Sequence, residues 1–482
     1  MRQEPAGNEL ARWYSEQDAL GLAQGVKRGD VKAAEVVEEC IRRIEALNPR
    51  LNAVTHKLYD YGRKAVAGDL PEGPFRGVPF LLKDLMMEWR GLPVTNSCRY
   101  LKDYKASTDW ELAKRIRASG LVVVGKTNVP EGGLCTSTEP ALFGPTHNPW
   151  NEKATAGGSS GGAASAVAAG ILPMADATDG GGSIRIPASN NGVVGLKPSR
   201  GRITFGPDLA DCWYGAATCL CVSRTVRDSA AYLDAVAGQL PGEAYAIPNP
   251  SESFLSQVGK SPGKLRIGFL TRGPDGAALH PDAAAAVKVA AEQCAKLGHH
   301  VEEIDARYEF PVDAFFRAVP VLSAAAFDAA AAAFGRPVTP DDVEPFTWSL
   351  LERGRRVTGV EHANDIETIR KFGRRIVDLY STHDVVITPT QPHPPRPLGT
   401  YNMSEADLSR YIEKLLPDIL FTAPINLSGQ PAISLPLHWT RDGLPLGTHF
   451  IGRIGEDATL LRLAGQMETA LPWKARRPPL SM

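Results

Sequence analysis

The 482-residue chain lacks an excess of charge of either sign, because 53 Lys and Arg residues balance 54 Asp and Glu residues and leave a formal net charge of −1. Without such an excess there is no electrostatic argument for nucleic acid or an anionic membrane as the main partner. The composition, 43% hydrophobic and 22% charged, is typical of a soluble globular protein that can bury a large core. We therefore predict no nucleic-acid partner and no membrane partner.

The chain also lacks a long apolar run. Its first residues, Met1–Pro5, contain no apolar core of the kind found in signal peptides. The longest run of small and apolar residues, Ala163–Ala175, contains Gly170 and Pro173 and is shorter than the roughly 20 residues that a spanning helix needs. We expect no membrane span and a cytoplasmic location.

Cysteines spaced for metal binding are missing as well. The seven cysteines are an odd number, and Cys219 and Cys221 are the only pair separated by a single residue. Such thiols are most simply explained as buried or unreactive groups in a reducing compartment. We predict no metal site, and we expect Cys135, which follows the Gly132-Gly133 turn, to border a pocket.

The chain does contain two glycine-flanked serines, Ser159 and Ser183, with Lys83 upstream of both. Glycine allows backbone N–H groups to approach a ligand closely. A hydroxyl beside converging backbone N–H groups supplies what acyl transfer needs, namely a nucleophile and a cradle for the oxyanion. These stretches therefore indicate a hydrolase of amide-like bonds.

Strand and helix signals alternate along the chain. Residues 10–70 show helical spacing, with one helix expected to end at Asn48-Pro49. Buried strands are predicted at 77–84, 121–125, 171–177, 265–270, 301–304, 384–390 and 432–436, and helices at 110–119, 163–169, 281–297 and 324–334. This alternation favours an α/β fold, a single large α/β/α domain with a central mixed β-sheet covered by helices on both faces. We expect residues 1–70 to form a helical region packed on a catalytic domain of residues 71–482.

Two familiar patterns also fit parts of the chain. Gly120–Thr127 fits the phosphate-loop pattern, but the four residues inside it are Leu and three Val, which favour a strand over an open loop. Gly157–Gly161 fits the G-x-S-x-G nucleophile elbow, which would make Ser159 the nucleophile. That mechanism needs a downstream histidine, and the candidates His393, His438 and His449 have no distinctive setting. We expect neither pattern to carry the function.

Taken together and in order, the motifs resemble the amidase signature family. The residues that carry the resemblance are Gly77–Asp84, Gly125–Glu131, Asn148–Asn151, Gly157–Gly162, Asp179–Arg185, Gly195–Pro198, Thr388–Thr390 and Gly443–Gly447. Order and spacing agree over residues 20–470, with a signature core at 75–230 and a variable lid at 305–380. Any one glycine stretch alone would be a weak signal.

The resemblance implies a Ser–cis-Ser–Lys triad. Ser183 matches the nucleophile, Ser159 the bridging serine that follows a cis peptide bond from Gly158, and Lys83 the base. A lysine acts as a base only when neutral, so burial must bring its pKa well below about 10.4. The oxyanion would be held by the N–H groups of three consecutive glycines, Gly180, Gly181 and Gly182.

Other residues are expected to support or surround this triad. Asp179 and Arg185 flank the nucleophile and would form a buried pair that stiffens its loop, with Ser160 beside them; a purely structural ion pair is the alternative. The candidates for substrate contact are Met87, Gly132, Gly133, Leu134, Cys135 and the segment Phe315–Trp348. Because substrate walls come from loops, which vary most, these residues predict only an apolar substrate group.

The chain departs from the family pattern at three positions. Gly180 stands where the family often has Thr, Ile or Leu, Ala156 replaces a common Pro, and His449 replaces a usual Gln. None of these removes a triad member. The departures therefore concern the substrate and the loop, not the class of reaction.

The function we predict is a cofactor-free hydrolase of C–N bonds in apolar or aryl amides, extending to carbamates (urethanes), nylon-type oligomers and esters. Residues 177–189 are similar to the branch that opens cyclic aminohexanoate amides. The alternatives are a glutamine amidase subunit of a tRNA-dependent amidotransferase, whose branch usually has Gln where this chain has Ile186, and a non-catalytic binder. We expect a small-molecule amide or carbamate as partner, and a monomer or homodimer.

Overall fold

A computed structural model describes residues 7–482, so the expectation for Met1–Pro5 lies outside the described residues. The helices are α1 (Gly7–Glu16), α2 (Ala19–Arg28), α3 (Ala33–Leu51), α4 (Tyr59–Ala67), α5 (Glu111–Ala118), α6 (Gly161–Ala168), α7 (Arg185–Asn191), α8 (Val226–Val236), α9 (Phe254–Gln257), α10 (Pro281–Lys296), α11 (Val312–Phe334), α12 (Pro345–Arg356), α13 (Gly359–Tyr380), α14 (Leu408–Ile419), α15 (Ala423–Ser428) and α16 (Asp457–Ala470). The strands are β1 (Val54–Lys57), β2 (Pro79–Lys83), β3 (Val122–Thr127), β4 (His147–Asn148), β5 (Asn151–Thr155), β6 (Met174–Asp179), β7 (Val194–Lys197), β8 (Thr218–Ser223), β9 (Arg266–Phe269), β10 (His300–Glu303), β11 (Val385–Pro389), β12 (Ala432–Trp439) and β13 (Pro445–Gly452).

Residues 10–70 are mainly helical, as predicted, apart from the strand β1, which pairs antiparallel with β3. The prediction that a helix ends at Asn48-Pro49 is wrong, because α3 continues to Leu51 with Pro49 inside its last turn. The helix ends instead at Asn52, which has a left-handed φ of 49° and donates its N–H to Asn48 O at 2.8 Å. The Asn48 side chain accepts the N–H of Val54 at 2.8 Å, so this polar turn, not the proline ring, ends the helix.

A large mixed sheet forms the centre of a single α/β domain, which confirms the predicted fold class. Its eight strands lie in the order β10-β9-β11-β13-β12-β7-β8-β6. The β10–β9 and β9–β11 pairs are parallel, and the other pairs are antiparallel. Strand β6 lies at one edge of this sheet and leads directly into the predicted nucleophile loop.

A second, three-stranded sheet, in the order β1-β3-β2, brings Lys83 to the same place. Strand β2 pairs parallel with β3, with Lys83 opposite Thr127, and β2 packs against β6. The Val-rich segment fills β3, so Gly120–Thr127 forms a buried strand and not the open phosphate loop that its pattern allowed.

Three helices between residues 312 and 380 form a cluster in which α11 packs against both α12 and α13. Helix α11 packs against α12 so closely that a Cβ atom at Gly354 would lie 2.1 Å from Pro320 O. By length and composition alone, α11 is the one helix within residues 7–482 that could cross a membrane. The sequence of α11 contains three charged residues, Asp313, Arg317 and Asp328. For this reason α11 does not stand out in the sequence as an apolar run.

Candidate active site

Lys83 lies at the end of β2, inside the protein. Every residue of β2 is buried, and Lys83 itself has 0% exposure. Its Nζ atom lies 2.7 Å from Ser159 Oγ and 2.8 Å from Thr178 Oγ1. The strand therefore delivers the amine to two hydroxyl groups, one from the loop before α6 and one from β6.

The surroundings of Lys83 favour its neutral form. Burial lowers the pKa of Lys83 to about 7, although the neighbouring charge of Asp176 acts to raise it. Asp176 is itself fully buried, and its Oδ2 accepts the backbone N–H of Lys83 at 3.1 Å. Burial raises the pKa of this carboxyl to about 7. An amine with a pKa near neutrality can accept a proton at physiological pH.

Ser159 precedes α6 and follows a cis peptide bond from Gly158, as the family resemblance implied. Glycine is needed at position 158, since a Cβ atom there would lie 2.5 Å from Cys135 O. The next residue, Ser160, donates its backbone N–H to Ser183 O at 3.3 Å and its hydroxyl to Thr178 O at 3.3 Å. Ser160 thus ties the loops of the two predicted catalytic serines to each other and to β6.

Ser183 lies two residues before the start of α7 and lines the same cavity as Ser159 and Thr178. Between residues 7 and 482, no hydrogen bond joins Ser183 Oγ to Ser159 Oγ. Hydrogen bonds within active sites are often long before substrate binds and shorten in the complex. Lys83 therefore contacts Ser159, and the two serines face a common cavity.

The glycine loop differs from the prediction at one position. The N–H of Gly182 donates to Asp179 Oδ1 at 2.7 Å, and Gly182 does not line the cavity. Its N–H is therefore not available to an oxyanion, because the Asp179 carboxylate already accepts it. Gly180, Gly181 and Ser183 do line the cavity, so their N–H groups are the candidates for that contact.

Asp179 and Arg185 form the buried pair that the sequence predicts, and both have 0% exposure. Two parallel hydrogen bonds join them, Nε to Oδ2 at 2.9 Å and Nη2 to Oδ1 at 3.0 Å. Burial alone would raise the pKa of Asp179, but the charge and hydrogen bonds of Arg185 outweigh it and hold that pKa well below its usual value. Asn426 supports both partners, donating to Asp179 Oδ1 at 2.8 Å and accepting from Arg185 at 2.5 Å.

His449, one of the three departures from the family pattern, belongs to this network. Its Nε2 lies 3.0 Å from Arg185 Nη1, and its Nδ1 lies 3.1 Å from Thr388 Oγ1. Burial first, and then the charge of Arg185, hold the pKa of His449 well below its usual value. The ring is therefore neutral, with Nε2 accepting from Arg185 and Nδ1–H donating to Thr388. A neutral histidine here does what a glutamine side chain could also do.

The cavity beside the serines occupies about 950 Å³, including its open mouth. Of the predicted contacts, Gly132, Gly133, Leu134 and Cys135 line it. Met87 does not, since it is buried in the main hydrophobic core, and Met86, with a left-handed φ of 63°, takes its place. The segment Phe315–Trp348 contributes Phe315, Phe316, Val319 and Phe346, but Trp348 does not line the cavity.

The remaining wall residues come from distant parts of the chain, and the sequence did not predict them. They are Leu85, Met86, Thr136, Thr178, Ile186, Phe205, Cys212, Trp213, Ala217, Leu350, Leu415 and Ile419. None carries a charge. Only the loop 205–217 offered a signal, because it follows the nucleophile region and contains aromatic residues.

Other candidate groups take no part in the lining. His393 lies 2.7 Å from Asp418 Oδ1 and His438 lies 3.3 Å from Asp282 Oδ1, so no histidine from the elbow alternative reaches Ser159. Burial raises the pKa of Cys135 to about 12, which keeps this pocket residue a thiol. Within the described part of the chain, no group of three His, Cys, Asp or Glu residues is placed to hold a metal ion.

The fold and the site define an α/β protein in which a buried lysine and two serines meet beside one apolar cavity. The family model Amidase matches residues 35–461. A 6-aminohexanoate-cyclic-dimer hydrolase from Paenarthrobacter ureafaciens is 40% identical over 480 residues, covering 96% of this chain and 97% of that protein.

Solved structures of other proteins have the same fold as this chain. A 6-aminohexanoate cyclic dimer hydrolase complexed with substrate superposes with a TM-score of 0.92 at 40% identity, covering 96% of this chain and 99% of the other. A bacterial aryl acylamidase of the amidase signature family superposes with a TM-score of 0.86 at 28% identity, covering 96% and 99%. The chain belongs to the amidase family and is an amide-hydrolysing enzyme acting on C–N bonds.

Proposed function

We propose that this protein hydrolyses uncharged, apolar amides through an acyl-enzyme on Ser183, with Ser159 and Lys83 as the proton relay. The observation that carries the proposal is the 2.7 Å contact between Lys83 Nζ and Ser159 Oγ. It joins a buried amine, whose pKa burial lowers to about 7, to a hydroxyl facing the cavity of Ser183. No cofactor is part of this chemistry.

In the first half of the reaction, Ser183 Oγ attacks the carbonyl carbon of the amide. Its proton moves to Ser159 Oγ while the Ser159 proton moves to the neutral Lys83 amine. The carbonyl oxygen becomes an oxyanion, which the N–H groups of Gly180, Gly181 and Ser183 are placed to bind. One such donor contributes roughly 3–4 kcal/mol to transition-state stabilisation in well-studied enzymes.

The relay then runs in reverse. Protonated Lys83 returns a proton through Ser159 to the amide nitrogen, the C–N bond breaks, and the amine leaves. Water attacks the ester carbonyl carbon and gives a proton to the relay, the bond between that carbon and Ser183 Oγ breaks, and the carboxylic acid leaves. Ser183 regains its proton, so lysine and both serines end as they began.

The cavity supports an uncharged substrate. Among its lining residues only Asp179 carries a charge, and Arg185 already pairs with that carboxylate. A free carboxylate or ammonium in this space would be buried without a partner, which is costly. Neutral anilides, carbamates, esters and cyclic amides of the nylon type therefore fit better than charged linear oligomers.

The same observation counts against the glutamine amidase alternative. Glutamine carries both an ammonium and a carboxylate group, and Ile186, which lines the cavity, offers neither a charge nor a hydrogen bond. Ligand binding without catalysis does not require a buried lysine in contact with a serine. Turnover tests that include glutamine separate these alternatives from the proposal.

The test compares kcat/KM for wild type and for Ser183→Ala, Ser159→Ala and Lys83→Ala on a neutral anilide, a carbamate, an ester and glutamine. We expect Ser183→Ala and Lys83→Ala to lose about 10³-fold or more on amides, and glutamine to be a poor substrate. Ser165→Ala is the matched control, because that buried hydroxyl donates to His147 O, away from the cavity. An active Ser183→Ala enzyme with an inactive Ser159→Ala enzyme would overturn the proposal in favour of the elbow mechanism.

A further inference from the structure

The side chain of Trp213 lies in the cavity wall, in contact with the glycine loop. Its indole ring packs directly on Gly180, so that a Cβ atom at position 180 would lie 3.0 Å from Trp213 Cε3 and 3.3 Å from Cζ3. Contacts this short force one of the two groups to move. The glycine that departs from the family pattern at position 180 is therefore the residue that makes room for the indole.

The loop that carries Trp213 is held firmly in an uncommon backbone conformation. Trp213 and Tyr214 both have left-handed φ values, 53° and 55°, which non-glycine residues adopt at a cost. The loop is pinned on both sides of Trp213, since Gly215 N–H donates to Asp211 Oδ1 at 2.6 Å and Tyr214 OH lies 2.6 Å from His362 Nε2. Such a conformation persists only where its surroundings fix it, and here the result is an aromatic ring held over the glycine loop.

The position of Trp213 assigns it to one side of the substrate. In the proposed reaction the leaving nitrogen must face Ser159 Oγ, beside which Gly133 lies, with its ideal Cβ position 3.4 Å from that oxygen. Trp213 instead lies against Gly180, one of the candidate oxyanion donors. The acyl group leaves the carbonyl carbon in another direction from the nitrogen, and on this proposal it lies against the wall to which Trp213, Phe205 and Cys212 contribute.

Trp213 also closes off further space. A second, smaller apolar cavity of about 260 Å³, including its open mouth, adjoins the indole, and Trp213, Phe315 and Val319 line both cavities. With the indole in place the two spaces stay separate. A small side chain at position 213 would join them and widen the site next to the carbonyl.

We propose that Trp213 is a specificity-determining residue that restricts the acyl side to groups unbranched at the carbon next to the carbonyl, and that it can do so only because residue 180 is glycine. The proposal rests on the proposed function, because it uses the direction in which the leaving nitrogen must point. The ring packed against Gly180 takes up space next to the carbonyl, and a branch at that carbon needs more of this space than a linear chain does.

The test measures kcat/KM on two anilides with the same aniline, one with a linear acyl chain and one branched next to the carbonyl. We expect Trp213→Ala to shift the linear-to-branched ratio toward the branched substrate by about tenfold or more, the scale on which apolar pockets discriminate one methylene group. Trp213→Leu tests the same point if the Ala variant folds poorly. Trp348→Ala, which removes a tryptophan of α12 that does not line the cavity, should leave the ratio unchanged.

A double-variant cycle tests the link to glycine. Gly180→Thr should lower kcat/KM sharply with Trp213 present, and should cost several-fold less in the Trp213→Ala background, where the clash is relieved. An unchanged substrate ratio in both Trp213 variants, or an equal cost of Gly180→Thr in both backgrounds, would overturn the inference.

Labelling of Ser183 by a fluorophosphonate distinguishes a failure of this inference from a failure of the proposed function. Absence of label in wild type counts against the proposed function, whereas normal label with an unchanged ratio counts against the role of Trp213 alone.

Discussion

The lowered pKa of Lys83 makes two linked predictions, one for activity and one for stability. Burial moves this pKa from 10.5 to about 7. At pH 7 about half of the amines are then neutral, whereas an ordinary lysine would have only about one neutral amine in 3,000. We expect kcat/KM on a neutral anilide to rise about tenfold per pH unit below pH 7 and to level off near pH 8.

The stability prediction concerns Lys83→Met, which keeps an unbranched side chain, one atom shorter, that cannot be protonated. In wild type the folded state binds the lysine proton less tightly than the unfolded state, so the penalty is full below pH 7 and falls to zero as the pH rises to 10.5. At pH 7 the penalty is about 4 kcal/mol. Losing the contacts with Ser159 and Thr178 offsets about 1–3 kcal/mol of it. We expect Lys83→Met to be inactive yet about 1–3 kcal/mol more stable than wild type at pH 7.

Urea unfolding at pH 7 and pH 9, together with the pH–rate profile, measures both effects. The advantage of Lys83→Met should shrink by about 2 kcal/mol in total between these two pH values. A rate that keeps climbing to pH 10, together with a Lys83→Met variant whose stability relative to wild type does not change with pH, would refute the reasoning. Such a result would mean that the lysine keeps a solution-like pKa.

Three further substitutions test the groups around the relay. Asp176→Asn should move the acid limb of the pH–rate profile to lower pH, because the carboxylate charge favours protonated Lys83; an unmoved limb would show that this charge is not felt. Asp179→Asn should cost about 3–5 kcal/mol in urea unfolding, since it leaves the buried Arg185 charge unpaired, and a loss under 1 kcal/mol would contradict the pairing. His449→Gln should change kcat/KM by only a few-fold. Below about pH 6.5 the unfolded histidine gains a proton that the buried ring does not, so wild type loses stability there. The His449→Gln variant should lose less stability over the same pH range in urea unfolding. Equal losses in the two proteins would count against a neutral His449.

Much of the fold could be predicted because local patterns and global structure agree. The buried strand ending at Lys83 and the Val-rich strand β3 both appear where their sequences indicate. The alternation of strands and helices correctly predicts a mixed sheet between helices. The end of α3 was missed because the side chain of Asn48 closes the last turn, an interaction that outweighs the usual effect of Pro49.

The site could be predicted only in part. Glycine-flanked serines and a lysine after a strand are visible in the sequence, but which N–H groups are free is not. Gly182 looks equivalent to Gly180 until the structure shows that Asp179 accepts its N–H. Met86, which has a left-handed φ, lies in the cavity wall where the sequence predicted Met87. The ring of Trp213 and the Leu415 wall reach the cavity from segments far along the chain, where no local pattern reports the contact.

Locating the acyl group on the enzyme tests the central claim most directly. An anilide or ester that deacylates slowly is mixed with the protein, the reaction is quenched in acid, and the trypsin-digested protein is examined by mass spectrometry. Ser159 and Ser183 share the tryptic peptide 154–185, which follows Lys153 and ends at Arg185, so fragmentation must place the added mass within it. We predict the acyl group on Ser183 alone, and none in Lys83→Met. An acyl group on Ser159, or steady turnover with no acylated serine, would contradict the account.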